Sequence, residues 1–178
     1  MQYFSKMKGT TQSPPGVKVS EIFWSWIGAF LGIIPMAYLD DKLFYTSDLV
    51  MIIGSFGASA VLVYGAIRSP LAQPRNVIGG HIISAIIGVT AFKLFHNHLW
   101  FASPLAVATA IAFMHATKTL HPPGGATALI AVTGSSKIHA LGYLYAVVPV
   151  GMGAVIMVLV ALLVNNLPKS RRYPEFWL

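Results

Sequence analysis

Four stretches of this chain run without a single Asp, Glu, Lys or Arg for long enough to cross a bilayer. Ile22–Leu39 has 18 residues, Leu49–Ile67 and Leu99–Thr117 have 19 each, and Ala140–Val164 has 25. About 18 such residues suffice for a hydrocarbon core of about 30 Å. Lipid offers the backbone no hydrogen-bond partner, so each spanning segment must satisfy its own N–H and C=O groups, which a helix does. Charged residues make up only 10% of the chain, where a soluble domain carries about 25%. The expected class is an all-α, polytopic integral membrane protein.

Six membrane segments are expected, at about 22–39, 49–67, 77–95, 99–117, 120–134 and 140–164. Lys93, near the end of the third, is placed to snorkel to the interface. Pro149 should kink or unwind the sixth. After its prolines the fifth keeps only about eleven helical residues, too few to span alone. With six crossings, nine basic residues share one side: Lys6, Lys8, Lys18, Arg68, Arg75, Lys118, Lys169, Arg171 and Arg172. Lys42, Lys93 and Lys137 lie opposite, with Asp40, Asp41 and Asp48. The positive-inside bias then puts both termini in the cytoplasm or its organellar equivalent, and it explains the net charge of +7 without nucleic acid. Residues 1–20 read as a flexible cytoplasmic tail with no signal-peptide pattern. Residues 21–166 read as one transmembrane domain and 167–178 as a basic tail. The absence of cysteine excludes disulfides, thiolate metal sites and thiol catalysis.

Two stretches 68 positions apart can be superposed. Ile53-Gly-Ser-Phe-Gly-Ala-Ser-Ala-Val-Leu62 lies over His121-Pro-Pro-Gly-Gly-Ala-Thr-Ala-Leu-Ile130. The shared core is Gly-Ala-(Ser/Thr)-Ala with two aliphatic residues after it. The same shift carries the third segment onto the sixth. The expectation is two three-helix units, about 21–95 and 99–166, inverted relative to each other because each has an odd number of crossings. Packing of small residues between membrane helices is the alternative reading of the match.

Non-helical backbone at membrane depth is tolerated only against protein or a watery cavity. The break at His121-Pro122-Pro123-Gly124-Gly125 therefore predicts a cavity, unless it is an interfacial loop. Proline suits the first helical position, so a short helix should start near Pro123. Free amides of Gly124, Gly125, Ala126 and Thr127 would then form an anion site at its positive end. Ser55, Phe56, Gly57, Ala58 and Ser59 would supply the mirror partner, with Ser59 matching Thr127 and the two tips facing each other near the midplane, as in secondary transporters.

Around this core, Pro70 and Pro74 forbid helix in the second loop, Asn76 is a suitable N-cap for the third segment, and Arg75 either draws anions to a vestibule or anchors topology. His81 is an intramembrane ionisable residue, hence a candidate functional group, or a neutral core histidine. Lys118 either lines an entrance or snorkels. All five carboxylates lie in loops or tails, so no intramembrane acid pair exists for enzymatic acid–base chemistry. Neither a metal site nor a cofactor motif is expected. Any proton coupling would have to use a histidine, His121 or His81.

Taken together, GSFGASAVL (54–62), SPLAQPRNVIGGHIISA (69–85) and LHPPGGATAL (120–129) make the chain resemble the HPP family of small integral membrane proteins, over roughly residues 20–165. Members in cyanobacteria and chloroplasts are associated with nitrite transport. The resemblance implies nitrite as the anion here, handled around His121, Pro122 and Pro123, in a bacterial plasma membrane or chloroplast envelope. The family is described as having four transmembrane helices, and the six-segment expectation departs from that. The functional expectation is transport of a small anion, with a scaffold or sensor module as the alternative and a homo-oligomer, most simply a two-fold dimer, as the assembly.

Overall fold

The computed structural model describes residues 2–8, 11–44 and 51–178. Asp48 and the start of the run at Leu49 lie outside the described residues. Among the described residues the structure is helical, without strands. Four helical stretches are long and apolar enough to cross a membrane: Val19–Lys42, Pro74–Phe95, Leu99–Ala116 and Ser136–Val164. The expectation of six crossings is not confirmed by them. The second and fifth segments are short helices, Gly54–Gly65 and Pro122–Thr133. A helix of twelve residues covers only about 18 Å, little more than half of the core.

Three of the long stretches contain the helices α1 (Val19–Leu39), α3 (Pro74–Phe95) and α4 (Leu99–Ala116). Between them, α2 (Gly54–Ala60) runs on into a wide π turn at Val61–Gly65. After α4 comes α5 (Pro122–Thr133). The last long stretch is broken twice. Its first part, α6 (Ser136–Leu141), stops at Gly142, whose φ of 52° suits a residue without Cβ. Val148 is extended (φ −131°, ψ 120°) ahead of Pro149, as the residue before a proline prefers, and α7 (Met152–Val164) follows. The unwinding expected at Pro149 is therefore present.

The start of the third segment also differs from expectation. Helix α3 begins at Pro74 with Gln73 as the N-cap, so Asn76 lies inside the first turn and uses its Nδ2 to bond the Leu120 carbonyl at 2.9 Å. Proline at the first helical position accounts for the earlier start. Pro70 likewise does not exclude helix, because Pro70–Ala72 forms a single 3₁₀ turn capped by Ser69.

Two features hold the bundle together. Gly28 and Gly32 on α1 leave a slot filled by the ring of Tyr64, and a Cβ on Gly32 would collide with that ring. The Tyr64 hydroxyl crosses to α7 and donates to the Met157 carbonyl at 2.9 Å. On the face where α1 begins, the C-terminal segment folds back as a clasp. Arg171 is buried and pairs with Glu21 at 2.9 Å. It also donates to the Glu21 carbonyl, Ser25 Oγ, Asn165 Oδ1 and the Tyr64 carbonyl. The charge pattern marks Arg171 only as a topology-setting cation, whereas the fold buries it as a tie between three elements. Next to it, the Tyr173 hydroxyl donates to the Ala72 carbonyl at 2.9 Å, and burial raises its pKa, keeping the donor proton in place.

Candidate functional site: a buried histidine pair

The stretch 117–121 connects α4 to α5 on the same face as the clasp. Arg75 reaches it through the Thr117 carbonyl at 2.8 Å, and Lys118 holds the turn with a φ of 56°. Beneath this turn His121 closes over α3, so near that a Cβ on Gly80 would fall 2.7 Å from the His121 Cβ. His81 is the next residue of α3, seven past Pro74, which places it about 10 Å along the helix axis. The two imidazole centroids are 4.9 Å apart, and both rings are wholly buried.

Three hydroxyls complete the group. Ser59 Oγ lies 2.7 Å from His81 Nε2 and 2.8 Å from His121 Nε2. Thr127 Oγ1 lies 2.7 Å from His81 Nδ1 and 2.9 Å from Ser55 Oγ. His121 Nδ1 contacts the Leu71 carbonyl oxygen at 2.7 Å. Thus His81 spans Ser59 and Thr127, the two hydroxyls that the 68-residue shift superposes. The position equivalent to His81 is Pro149, so one unit brings an imidazole to the centre and the other brings the proline at which its helix unwinds. Phe56 closes the site with its ring edge-on to His81, centroids 5.5 Å apart.

The hydrogens of this chain can be placed by elimination. A carbonyl only accepts, so His121 Nδ1 carries hydrogen. With both imidazoles neutral, His121 Nε2 must accept, and Ser59 donates to it. Ser59 Oγ then has only lone pairs for His81, so His81 Nε2 donates. His81 Nδ1 then accepts the single hydrogen of Thr127, which in this state is not given to its two other acceptors, Ser55 Oγ at 2.9 Å and the Pro123 carbonyl oxygen at 3.3 Å. Each donor from Thr127 to His121 points toward Leu71, and no alternative neutral arrangement satisfies these four contacts.

The anion site expected at the helix tips takes a different form. Ser55 sits beside Thr127 and Ser59 beside His121, so α2 and α5 lie antiparallel, each tip next to the sixth residue of its partner. The tips point past one another toward opposite faces, roughly 6–8 Å apart along the axis, and the group lies about a third of the way along α3 rather than at the midplane. Amides are also missing from the first turn of α5. Pro122 and Pro123 have no N–H, Gly124 N–H donates to the His121 carbonyl at 2.8 Å, and Gly125, Ala126 and Thr127 lie within the helix. The polar ligands on offer are side chains.

The other nominated residues divide by face. Ser55, Phe56, Ser59, His81, His121, Pro123, Gly124 and Thr127 are buried together, while Gly57, Ala58, Pro122 and Lys118 are exposed. The cavity expected at the break is a pair of apolar clefts on its outer side. One of about 430 Å³ is lined by Ala58, Val61, Leu62, Pro122, Pro123 and Ala126. The other, of about 620 Å³, lies between α4 and α5. His81, His121, Ser55, Ser59 and Thr127 line neither cleft, although His115 lies on the larger one. Sequence reasoning missed the Leu71 carbonyl and Tyr145, whose hydroxyl donates to the Thr127 carbonyl at 3.2 Å, and gave Asn76, whose buried Oδ1 has no partner, only a capping role. A backbone acceptor leaves no trace in residue identity. Tyr145 is a polar residue within an apolar stretch and could have been nominated on that ground.

Two glycines of the motifs separate this geometry from simple small-residue packing. Gly57→Ala should change stability little, because its Cβ meets nothing within 4 Å. Gly124→Ala should destabilise by about 1–3 kcal/mol, because its Cβ would fall 2.7 Å from Ser84 Oγ and 2.9 Å from the Gly80 carbonyl oxygen. Thermal unfolding in detergent compares the two.

Long apolar helices, broken short helices and a polar centre enclosed between them define an integral membrane protein of helical type. The chain matches the HPP transmembrane region over residues 14–174, and it belongs to that family. Two proteins of Dictyostelium discoideum, named only as transmembrane proteins, are similar to it. One is 46% identical over 180 residues, 99% of this chain and 58% of the relative. The other is 43% identical over 182 residues, 99% of this chain and 64% of the relative. The chain thus spans less than two thirds of the length of either. No solved structure matches.

Proposed function

We propose that this protein moves a small inorganic anion, nitrite foremost, across its membrane, and that the His81–Ser59–His121–Thr127 group is the point the anion must pass. One observation carries the reading. Two imidazoles and three hydroxyls are buried and hydrogen-bonded where α2 and α5 pack against α3, both short helices coming from broken membrane segments. Polar groups are expensive inside a bilayer, and such residues mark solute pathways. Helices that stop partway across are the usual means by which transporters bring polar groups to an internal site.

The antiparallel pairing of α2 with α5, and the placing of Ser59 and Thr127 on the two nitrogens of one ring, support an inverted arrangement of two units. The structure corresponds to a closed state, in which the hydroxyls occupy the histidine nitrogens that an anion would engage. An incoming nitrite would take the hydrogens of Ser59 and Thr127 as α2 and α5 separate. Purified protein in proteoliposomes should take up nitrite well above empty vesicles, and uptake equal to empty vesicles would sink this reading. The enclosed polar group and apolar outer clefts also suit a module that only docks another membrane protein, and absence of flux would favour that second reading.

A further inference from the structure

The hydrogen-bonded chain has one property that packing alone does not require, which is a fixed direction. We infer that it is a one-proton relay that stores the incoming proton on His121, with His81 changing tautomer but staying uncharged. The inference rests on the transport reading only for its cargo, which would be the anion accompanied by that proton.

The steps balance. A proton arriving at Thr127 Oγ1 releases the hydrogen that Thr127 already holds to His81 Nδ1. His81 gives its Nε2 hydrogen to Ser59, and Ser59 gives its hydrogen to His121 Nε2. One proton has entered and one positive charge has appeared, on an imidazole holding hydrogen at both nitrogens. Every donor between His121 and Thr127 now points the other way, and the new Thr127 hydrogen is free to go to Ser55 Oγ. His121 Nδ1 keeps its hydrogen throughout, because the Leu71 carbonyl oxygen 2.7 Å away can accept a hydrogen bond but offers no proton in return. The charge therefore stops at His121, on the side of the clasp, and leaves only when the site opens or when the chain runs backwards.

The surroundings contain little else to take the proton. Gly54–Ala60 and Met152–Val164 contain no titratable side chain, and Pro122–Thr133 contains none beyond the capping His121. From the turn Gly142–Ala146, Tyr145 faces the group with its hydroxyl committed to the Thr127 carbonyl. The Tyr64 hydroxyl is committed to Met157. On α3 the guanidinium of Arg75 is held at the Thr117 carbonyl, and on α4 His115 is exposed in the last turn. No carboxylate stands on these elements to form an ion pair with His121, so an anion entering beside it would meet the one positive charge of the site.

Nitrogen-15 NMR of the full chain in lipid, labelled at histidine, tests the relay, with His81→Asn and His121→Asn spectra assigning the two signals. On acidification His121 should gain an Nε2 hydrogen while keeping Nδ1–H, and His81 should switch from Nε2–H to Nδ1–H. Ser59→Ala should abolish the His81 switch. If His81 becomes the cation, or keeps Nε2–H while His121 is protonated, the relay is overturned. Proteoliposome flux decides the cargo separately: an inward proton gradient should drive nitrite uptake with one proton per anion. A tautomer switch without nitrite uptake upholds the relay and overturns the transport reading. Nitrite uptake indifferent to the gradient, with no switch, does the reverse.

Discussion

Arg171→Met should lower the stability of the protein by about 3 kcal/mol, the lower end of the cost of breaking a buried ion pair from one side. The guanidinium is almost fully enclosed while Glu21 keeps a third of its side chain in contact with solvent, at 2% and 31% exposure, so removing the arginine leaves a carboxylate that can partly rehydrate. Most of the loss comes from the carbonyls of Glu21 and Tyr64 and from Ser25 and Asn165, which lose a shared donor. In thermal unfolding this corresponds to a shift on the order of 10 °C for a chain of this size. Arg171→Lys should recover only part of it, since a point-charge ammonium cannot reproduce the planar fork. The neighbouring Arg172 is exposed, and Arg172→Met should stay within about 0.5 kcal/mol. Equal, small effects at both positions would show that the clasp holds nothing together.

On the transport function proposed above, His81→Leu should reduce nitrite flux about ten- to hundredfold, the equivalent of losing one hydrogen bond to a charged group, worth about 1.5–3 kcal/mol. It also leaves Ser59 and Thr127 without their shared partner in a buried site, at about 1–3 kcal/mol for each hydroxyl that finds no other. Unfolding must therefore be measured beside transport. The informative comparison is Ser59→Ala with Thr127→Val, which removes both hydroxyls while keeping the imidazole. If flux survives His81→Leu in protein that is still folded, the histidine pair is packing and not pathway.

Much of this architecture is legible in residue order. The uncharged runs identify the helices, Pro149 marks the unwound point, and the Pro122-Pro123 step marks the start of α5. Each of these is a local requirement of the backbone. The superposition of Ser59 on Thr127 nominated two side chains that do meet at one histidine. Legibility stopped at the geometry of that meeting. The glycines and prolines of 121–125 suggest a nest of amides, but two of those positions have no N–H and a third is used by His121. Gly57 and Ala58 belong to the same motif as Ser55 and Ser59 and yet point outward, because neighbouring positions of a helix lie about 100° apart around its axis.

By itself the sequence determined that this chain lives in a bilayer, that its helices break at two matched places, and which polar residues are carried to those breaks. Lipid makes these local decisions, since every unsatisfied peptide group there must be resolved within a few residues. Only the tertiary structure decided that α2 and α5 pass side by side instead of tip to tip, that His121 meets Ser59 from 62 residues away, and that Arg171 turns inward. These depend on the stagger and rotation of helices against one another, which follow from the fit of Tyr64 into Gly28 and Gly32 and of His121 against Gly80. Such fits join positions far apart in the chain, and no spacing within it records them.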